Sequence, residues 1–272
     1  MDHIKLASGH TMPALGIGTW AMDRERIAEA IGAALDIGYT HIDTACAYGN
    51  QTEIGDALKQ FGADRSALFI TSKVPRETLS HAGVMAACDQ ALTELRCEYL
   101  DLFLMHWPSP DVPMAESLGA LGELVQAGKV RSTGVSNFTR DHIAEAVRVS
   151  PVPVAVNQVE YHAHLNQAAL LDYCTQQGVH LTAYCPIGRG RYLSDPVLTA
   201  IADECGAEPA QVALRWLLRK GLSVVPKATS RAHILANYRA LDLTLGDDAM
   251  ARIDAIDAWN RCVAPAFADY FD

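Results

Sequence analysis

Residues 40–74 read THIDTACAYGNQTEIGDALKQFGADRSALFITSKV. Two β-rich runs, THIDTA from Thr40 and LFITSKV from Leu68, flank a segment from Thr52 to Phe61 in which apolar residues recur at helical spacing. A strand, a helix and a second strand within about 30 residues form one βα crossover, which joins parallel strands. This stretch therefore predicts a parallel sheet covered by helices.

The same alternation extends along the chain. Eight β-rich runs begin at Leu15, Thr40, Leu68, Leu100, Lys129, Pro153, Val179 and Leu222. Helical patterns follow at 24–37, 52–61, 80–95, 114–127, 140–147, 167–177, 196–220 and 231–241. The pattern at 196–220 is expected to break near Pro209, and glycines directly after four of the helices suit left-handed C-terminal caps.

Eight alternations favour an α/β fold of the (β/α)8 TIM-barrel type. A doubly wound sheet is the alternative, and it would usually carry a GxGxxG turn after its first strand. Here the first run leads into GIGTW at 16–20, which lacks the third glycine. Residues 4–13, with Gly9 in the turn, predict a β-hairpin that caps the bottom of the barrel. We expect one domain over residues 1–272, because no linker-like tract interrupts the pattern.

Composition and charge narrow the classes of partner. The formal net charge is −10, which argues against a nucleic-acid-binding surface. No apolar run approaches the roughly 20 residues of a membrane helix, and the first residues lack the features of a signal peptide. Seven scattered cysteines show no metal-type spacing. We expect a cytoplasmic protein with no membrane partner and no bound metal. No apolar helix face is left over, which favours a monomer.

Polar residues stand at the ends of the β-rich runs. Asp43, Lys73 and His106 end the second, third and fourth runs at intervals of about 30 residues, the length of one βα unit. The later runs end in Ser136, Asn137, Gln158, Glu160, Tyr184 and Lys227. Singly, such residues are helix caps, surface lysines or core histidines. Burying each of them unpaired would be costly, so we expect them to meet in one cavity at the mouth of the barrel.

Tyr48 lies in the loop after the second run and completes a group with acid–base chemistry. The ammonium of Lys73 would lower the pKa of the Tyr48 phenol, and Asp43 would hold that ammonium. His106 would orient a substrate oxygen that Tyr48 protonates. No side chain supplies a hydride, so a nicotinamide is required. The carboxamide of that ring would suit the amides and hydroxyl of Ser136, Asn137 and Gln158.

These segments together resemble the aldo-keto reductase family over essentially the whole chain. The similar motifs are GYTHIDTACAYGN from Gly38, ITSKV from Ile70, YLDLFLMHWPSP from Tyr99, GKVRSTGVSNF from Gly128, VNQVEYH from Val156, AYCPIGRG from Ala183 and VPKATSRAHILAN from Val225. The resemblance implies a catalytic tetrad of Asp43, Tyr48, Lys73 and His106. It also implies an extended nicotinamide cofactor held by Ser136, Asn137, Gln158, Tyr184, Pro186, Ile187, Lys227, Thr229, Ser230, His233 and Asn237.

Departures from the family pattern bear on the cofactor. Ala228 replaces a usual serine, and His233 stands where an arginine usually grips the 2′-phosphate. A neutral histidine holds a phosphate less well than arginine does. We therefore expect NADPH to be preferred, with weaker discrimination against NADH. Thr40 and Gln51 also differ from the residues usual in the family, Arg and Glu, but neither belongs to the tetrad.

Aromatic residues mark the substrate side. The expected pocket walls are Trp20, Tyr48, Trp107 and Ile187, with Phe267, Tyr270 and Phe271 from the tail. An apolar cleft with polar groups at its base suits small aldehydes, ketones or keto esters, and sugar-acid ketones as well. Arg189 and Arg191 stand in a glycine-rich loop, where they would meet an acidic substrate, clamp the cofactor's pyrophosphate or remain solvated.

Two other functions remain open from the sequence. His162 and His164 form an HxH pair that is typical of metal-dependent hydrolases on this fold, although no further ligand set completes it. A barrel that binds a nucleotide without turnover, as a redox sensor, is the other alternative. The intact tetrad argues against a sensor.

Overall fold

The computed structural model describes residues 2–268. The chain opens with a two-stranded antiparallel hairpin of β1 (His3–Lys5) and β2 (Thr11–Pro13), in which His3 pairs with Pro13. Gly9 takes a φ of 88° in the turn, which a residue with a Cβ adopts at a cost. Leu6 and Met12 pack with Leu102 and Leu104 inside the barrel. The hairpin therefore closes the bottom of the barrel, as the sequence predicts.

Eight parallel strands follow in sequence order around the barrel. They are β3 (Ile17–Gly18), β4 (His41–Asp43), β5 (Phe69–Val74), β6 (Leu100–Met105), β7 (Val130–Ser136), β8 (Val154–Glu160), β9 (His180–Tyr184) and β10 (Ser223–Val224). Each strand pairs with the next one along the chain. All residues of β5, β6 and β8 are buried, because helices cover the outside and side chains fill the inside.

A seam between the first and last strands closes the ring. Leu15 pairs in parallel with Val224, and Gly16 donates a backbone hydrogen bond to the Val224 carbonyl at 2.9 Å. At Gly18 a Cβ would lie 2.6 Å from the Val225 carbonyl oxygen, so only glycine allows the two segments to approach this closely. The architecture is a (β/α)8 barrel, and the doubly wound alternative is wrong.

Helices lie outside the strands. They are α1 (Arg24–Ile37), α2 (Gln51–Gln60), α3 (His81–Leu95), α4 (Met114–Gln126), α5 (Arg140–Val149), α6 (Ala168–Gln176), α7 (Pro196–Cys205), α8 (Pro209–Arg219), α9 (Arg231–Arg239) and α10 (Asp247–Asp254). The expected break near Pro209 is confirmed, because α7 ends at the left-handed Gly206 and α8 begins at Pro209. The sequence patterns did not predict α10. In residues 2–268 there is no helix long and apolar enough to cross a membrane.

Candidate active site

The residues at the carboxyl ends of the strands surround one large cavity. Its volume is about 780 Å³. Among the predicted site residues, those that line it are Trp20, Asp43, Tyr48, His106, Trp107, Ser136, Asn137, Gln158, Tyr184, Pro186, Ile187, Lys227, His233 and Asn237. Lys73 lies behind this wall, and Thr229 and Ser230 are not among the lining residues. The mouth of the barrel therefore brings together most of the residues that the sequence singled out.

Lys73 forms a buried ion pair with Asp43 beneath Tyr48. The Lys73 Nζ lies 2.7 Å from Asp43 Oδ1, and the side chains are only 1% and 4% exposed. The same ammonium donates to the Thr44 carbonyl at 2.7 Å and to the Tyr48 hydroxyl at 3.4 Å. All three N–H groups of Lys73 thus have acceptors, so the charge is held at a fixed place below the phenol.

Burial and the neighbouring Lys73 ammonium shift the pKa of Tyr48 in opposite directions. Burial raises the pKa of Tyr48, the ammonium of Lys73 lowers it, and the net direction is upward. Lys73 thus shifts this pKa downward, as the sequence predicts, but the loss of solvent outweighs the ammonium. Burial would lower the pKa of Lys73, but Asp43 and Tyr48 raise it above the ordinary value. The phenol is protonated and the lysine charged near neutral pH.

The second oxygen of Asp43 has its own donor. Gln158, at the end of β8, donates from Nε2 to Asp43 Oδ2 at 2.6 Å. Both carboxylate oxygens are thereby hydrogen-bonded, which holds the buried side chain in one orientation. The bond to Asp43 uses the Nε2 of Gln158, and Gln158 also lines the cavity. The Gln158 amide therefore offers an acceptor to whatever enters.

His106 faces Tyr48 across the cavity floor. The two ring centroids are 5.6 Å apart in an edge-on arrangement. Burial, together with the charge of Lys73, lowers the pKa of His106 to about 3. The imidazole is therefore neutral over the physiological range. It can hold an oxygen by one N–H without carrying a charge into the site.

Ser136 and Asn137 are hydrogen-bonded within the wall of the cavity. Asn137 donates to the His106 carbonyl at 3.0 Å and accepts from the Tyr184 hydroxyl at 2.7 Å. Ser136 donates to the Gln158 carbonyl at 2.7 Å. Asn137 adopts a φ of 64°, an uncommon left-handed conformation for a residue with a Cβ. These bonds fix the ring of Tyr184 and the peptide of His106 against the strand ends.

The far end of the cavity carries the predicted phosphate residues. Lys227, His233 and Asn237 line it. Ser230 accepts a hydrogen bond from the His233 backbone N–H at 3.3 Å and so caps α9, which is a structural use of its hydroxyl. Sequence reasoning missed Glu208, which also lines this end. Its carboxylate would repel a phosphate, and no local sequence signal places it here.

Aromatic residues line the part of the cavity that the sequence assigns to the substrate. Trp20 and Trp107 lie on the cavity wall as predicted, and the Arg189 guanidinium stacks over the Trp20 ring at 4.4 Å. Phe267 packs edge-on against Trp107, with ring centroids 5.3 Å apart. Val263 also lines the cavity. Tyr270 and Phe271, which were expected in the pocket, lie outside the described residues.

The HxH pair does not converge on one point. His162 hydrogen-bonds Glu160 at 2.9 Å, whereas His164 hydrogen-bonds Asp195 at 2.8 Å. Glu160, His162 and Cys262 do bring ligand-type atoms within 4.8 Å of one another. However, the Nδ1 of His162 is buried and has no hydrogen-bond partner among residues 2–268. A metal on Nε2 would put the proton on Nδ1 and leave that N–H unsatisfied, at about 1–3 kcal/mol. The geometry fits a hydrogen-bonded cluster better than a metal centre.

Comparison with known proteins identifies the family of the chain. The model of the "Aldo/keto reductase family" matches residues 12–258. The glyoxal reductase of Bacillus subtilis (strain 168) is 39% identical over 261 residues, covering 96% of this chain and 94% of that protein. An aldo-keto reductase of Mycolicibacterium smegmatis is 36% identical over 95% of this chain and 94% of its own length.

Solved structures match equally well. A putative 2,5-diketo-D-gluconic acid reductase B has 39% identity and a TM-score of 0.94, covering 98% of this chain and 95% of that one. The aldose reductase of Schistosoma japonicum has 32% identity and a TM-score of 0.91, covering 96% of this chain and 93% of that one. The chain belongs to the aldo/keto reductase family and is an oxidoreductase that acts on carbonyl groups.

Proposed function

We propose that this protein reduces aldehydes, ketones or keto esters to alcohols with NADPH, and that Tyr48 donates the proton. The observation that carries the proposal is the buried Lys73 ammonium. It is bonded to Asp43 at 2.7 Å and to the Tyr48 hydroxyl at 3.4 Å, below a cavity of about 780 Å³. Family membership supports a nicotinamide cofactor, which aldo-keto reductases generally use.

The donor set of the cavity suits that cofactor. A nicotinamide carboxamide has an NH₂ group, and Gln158, which lines the cavity with its Nε2 held by Asp43, offers its Oε1 as an acceptor. Tyr184 lines the cavity with its hydroxyl held by Asn137, so its ring can stack on a flat heterocycle. Lys227 at the far end supplies a positive charge for the adenosine phosphate. The bound cofactor supplies the hydride.

Residues of the cavity floor orient and protonate the carbonyl oxygen of the substrate. Neutral His106 donates an N–H to that oxygen and orients it beside Tyr48. As negative charge develops on the oxygen, the phenol of Tyr48 delivers its proton. The nearby Lys73 ammonium stabilises the phenolate that remains, and Asp43 keeps that ammonium in place. Because the burial of Tyr48 raises its pKa, the proton is available at neutral pH and is released only to a strongly basic oxygen.

Cofactor preference follows from the far end of the cavity. Lys227 would attract the 2′-phosphate of NADPH, whereas His233 stands where a bidentate arginine is usual and the Glu208 carboxylate in the cavity lining would oppose a phosphate. We therefore propose that NADPH is favoured with modest discrimination and that NADH is also accepted. The names of two relatives refer to dicarbonyl compounds, glyoxal and 2,5-diketo-D-gluconic acid. Small dicarbonyls and keto acids are accordingly the first substrates to test.

The test is a panel of carbonyl compounds followed by NADPH oxidation. Glyoxal, an aromatic aldehyde, a keto ester and a diketo sugar acid are each offered, and the alcohol product is identified by mass spectrometry. Turnover of at least one compound, insensitive to EDTA, is the expected result. Cofactor binding with no turnover of any compound would favour the non-catalytic sensor, and loss of activity with EDTA would favour the metal-dependent enzyme.

A further inference from the structure

The carboxylate of Glu160 is fully buried at the end of β8 and is not bonded to the proposed tetrad. Its Oε1 accepts from the backbone N–H of Cys262 at 2.5 Å and from His162 Nε2 at 2.9 Å. Its Oε2 accepts from the backbone N–H of Val263 at 2.8 Å. Two of its three donors therefore come from a segment about a hundred residues further along the chain.

That segment is held at several further points. We term residues 259–268 the C-terminal strap. Its start pairs with the loop after β8, since Trp259 bridges Leu165 and Asn260 donates to the His164 carbonyl at 2.7 Å. Its end reaches the loops after β5 and β6. The Phe267 ring packs on Trp107, with ring centroids 5.3 Å apart, and lies 4.9 Å from the Arg76 guanidinium, which follows β5.

The strap contributes directly to the cavity. Val263 lines the cavity, and the Val263 backbone N–H is one of the two that Glu160 holds. Trp107, on which Phe267 packs, lines the same cavity. The strap thus runs from β8 to the β6 loop along the substrate side. Glu160 fixes it at the point where it enters the cavity wall.

The ionised state of Glu160 suits this task. Burial raises the pKa of the Glu160 carboxyl group, whereas the hydrogen bonds from His162, Cys262 and Val263 lower it. The hydrogen bonds outweigh burial, so the pKa lies below the ordinary value. An ionised carboxylate only accepts hydrogen bonds, and backbone N–H groups only donate them. A buried charge is tolerated here because three donors satisfy it.

We propose that Glu160 is a positioning residue that acts through the C-terminal strap and sets the size of carbonyl compound that the pocket accepts. The substrate part of this inference rests on the proposed carbonyl reduction. In Glu160→Gln an NH₂ group replaces one carboxylate oxygen and opposes a backbone N–H of the strap. The strap then detaches, the wall at Val263 opens, and bulky substrates gain access while small ones lose contacts.

The first readout needs no turnover. Trypsin cleaves after arginine, and Arg261 directly precedes the two backbone N–H groups that Glu160 holds. We expect cleavage at Arg261 to be at least tenfold faster in Glu160→Gln than in wild type. Glu160→Asp, which keeps the acceptor oxygens, should be intermediate. Glu204→Gln, the same substitution at an exposed ion pair with Arg252, should match wild type. Equal rates in Glu160→Gln and Glu204→Gln would overturn the proposal.

The second readout is the size selectivity of the full-length chain. Glu160→Gln should raise the ratio of kcat/KM for a bulky ketone over that for a small aldehyde about tenfold, and Glu204→Gln should leave that ratio at the wild-type value. An unchanged ratio in Glu160→Gln would refute the proposal. If Glu160→Gln does not fold, Glu160→Asp takes its place, and wild-type selectivity together with wild-type trypsin cleavage in that variant would refute the proposal. Loss of trypsin protection without any turnover would leave the strap anchor standing and refute the proposed function.

Discussion

Gln158 donates a 2.6 Å hydrogen bond to Asp43 across the barrel, from the end of β8 to the end of β4. The other oxygen of Asp43 binds Lys73 at 2.7 Å. The amide that borders the cavity and the buried ion pair are therefore parts of one network. The bond occupies the Nε2 of Gln158 and leaves its amide oxygen as an acceptor.

Replacing Gln158 should weaken cofactor binding and catalysis together. Gln158→Ala removes the acceptor at the cavity and one donor to the buried carboxylate of Asp43. Loss of a hydrogen bond to a charged group costs about 1.5–3 kcal/mol, so we expect kcat/KM to fall about 10- to 100-fold. Fluorescence titration with NADPH and steady-state kinetics measure the two effects. The exposed Gln126→Ala is the control, and equal behaviour of both variants would contradict the network.

Removing Lys73 should cost both stability and activity, and the two losses can be separated. Lys73→Met leaves Asp43 as a buried charge without its partner, at about 3–5 kcal/mol of unfolding free energy. The double variant Asp43→Asn/Lys73→Met removes that charge and should regain most of the stability, measured by urea unfolding. Turnover should remain at least about 100-fold below wild type in both. Activity that returned with stability would assign Lys73 a structural role only.

Restoring an arginine at position 233 should sharpen cofactor selection. His233→Arg adds a bidentate partner for the 2′-phosphate at the far end of the cavity. We expect the preference for NADPH over NADH, as the ratio of kcat/KM values, to rise about tenfold or more from a modest starting value. Ala232→Arg, one residue away, controls for added charge. A wild-type preference above about a thousandfold, or about 4 kcal/mol, would contradict the weak discrimination proposed here.

Histidines that the fold holds in the neutral form should make the protein sensitive to acid. Burial lowers the pKa of His180 to about 4, and burial with Lys73 lowers that of His106 to about 3, below the value of about 6.5 for an unfolded histidine. Below pH 6.5 the unfolded chain therefore binds more protons, and stability falls as the pH falls. Each such histidine contributes about 1.4 kcal/mol per pH unit.

His180→Asn tests this slope away from the proposed tetrad. Urea unfolding at pH 6 and at pH 4.5 should show a smaller loss of stability in the variant than in wild type, by about 1–2 kcal/mol over that interval. An identical loss in both proteins would show that His180 is not held neutral in the folded state.

The sequence predicts the barrel well because its signals are local. Alternating apolar runs and helical patterns placed all eight strands, and the predicted helix bounds differ from the structure by only a few residues. The helix α10 (Asp247–Asp254) was missed because it is short and buries only Ala249 and Ile253, which is too few residues for a clear helical pattern. Assignment of the whole chain to one monomeric domain stays a prediction.

The sequence predicted those site residues that recur at equal intervals along the chain. Intervals of one βα unit place such residues around the same mouth of the barrel. Asp43, Lys73 and His106 meet as expected because each ends a neighbouring strand. Contacts between segments that are far apart in the sequence produce no regular spacing, so the sequence did not predict them. The bonds from Glu160 to Cys262 and Val263 join residues about a hundred positions apart. The burial of Tyr48, which decides the direction of its pKa, also depends on packing that the sequence does not display.

The most direct test of the account compares wild type with Tyr48→Phe on one carbonyl substrate from the panel. Phenylalanine keeps the ring beside His106 and removes only the hydroxyl that Lys73 contacts. We predict that NADPH binds with unchanged affinity while kcat falls by at least about 100-fold. Turnover within a few-fold of wild type, with the same alcohol as product, would contradict Tyr48 as the proton donor.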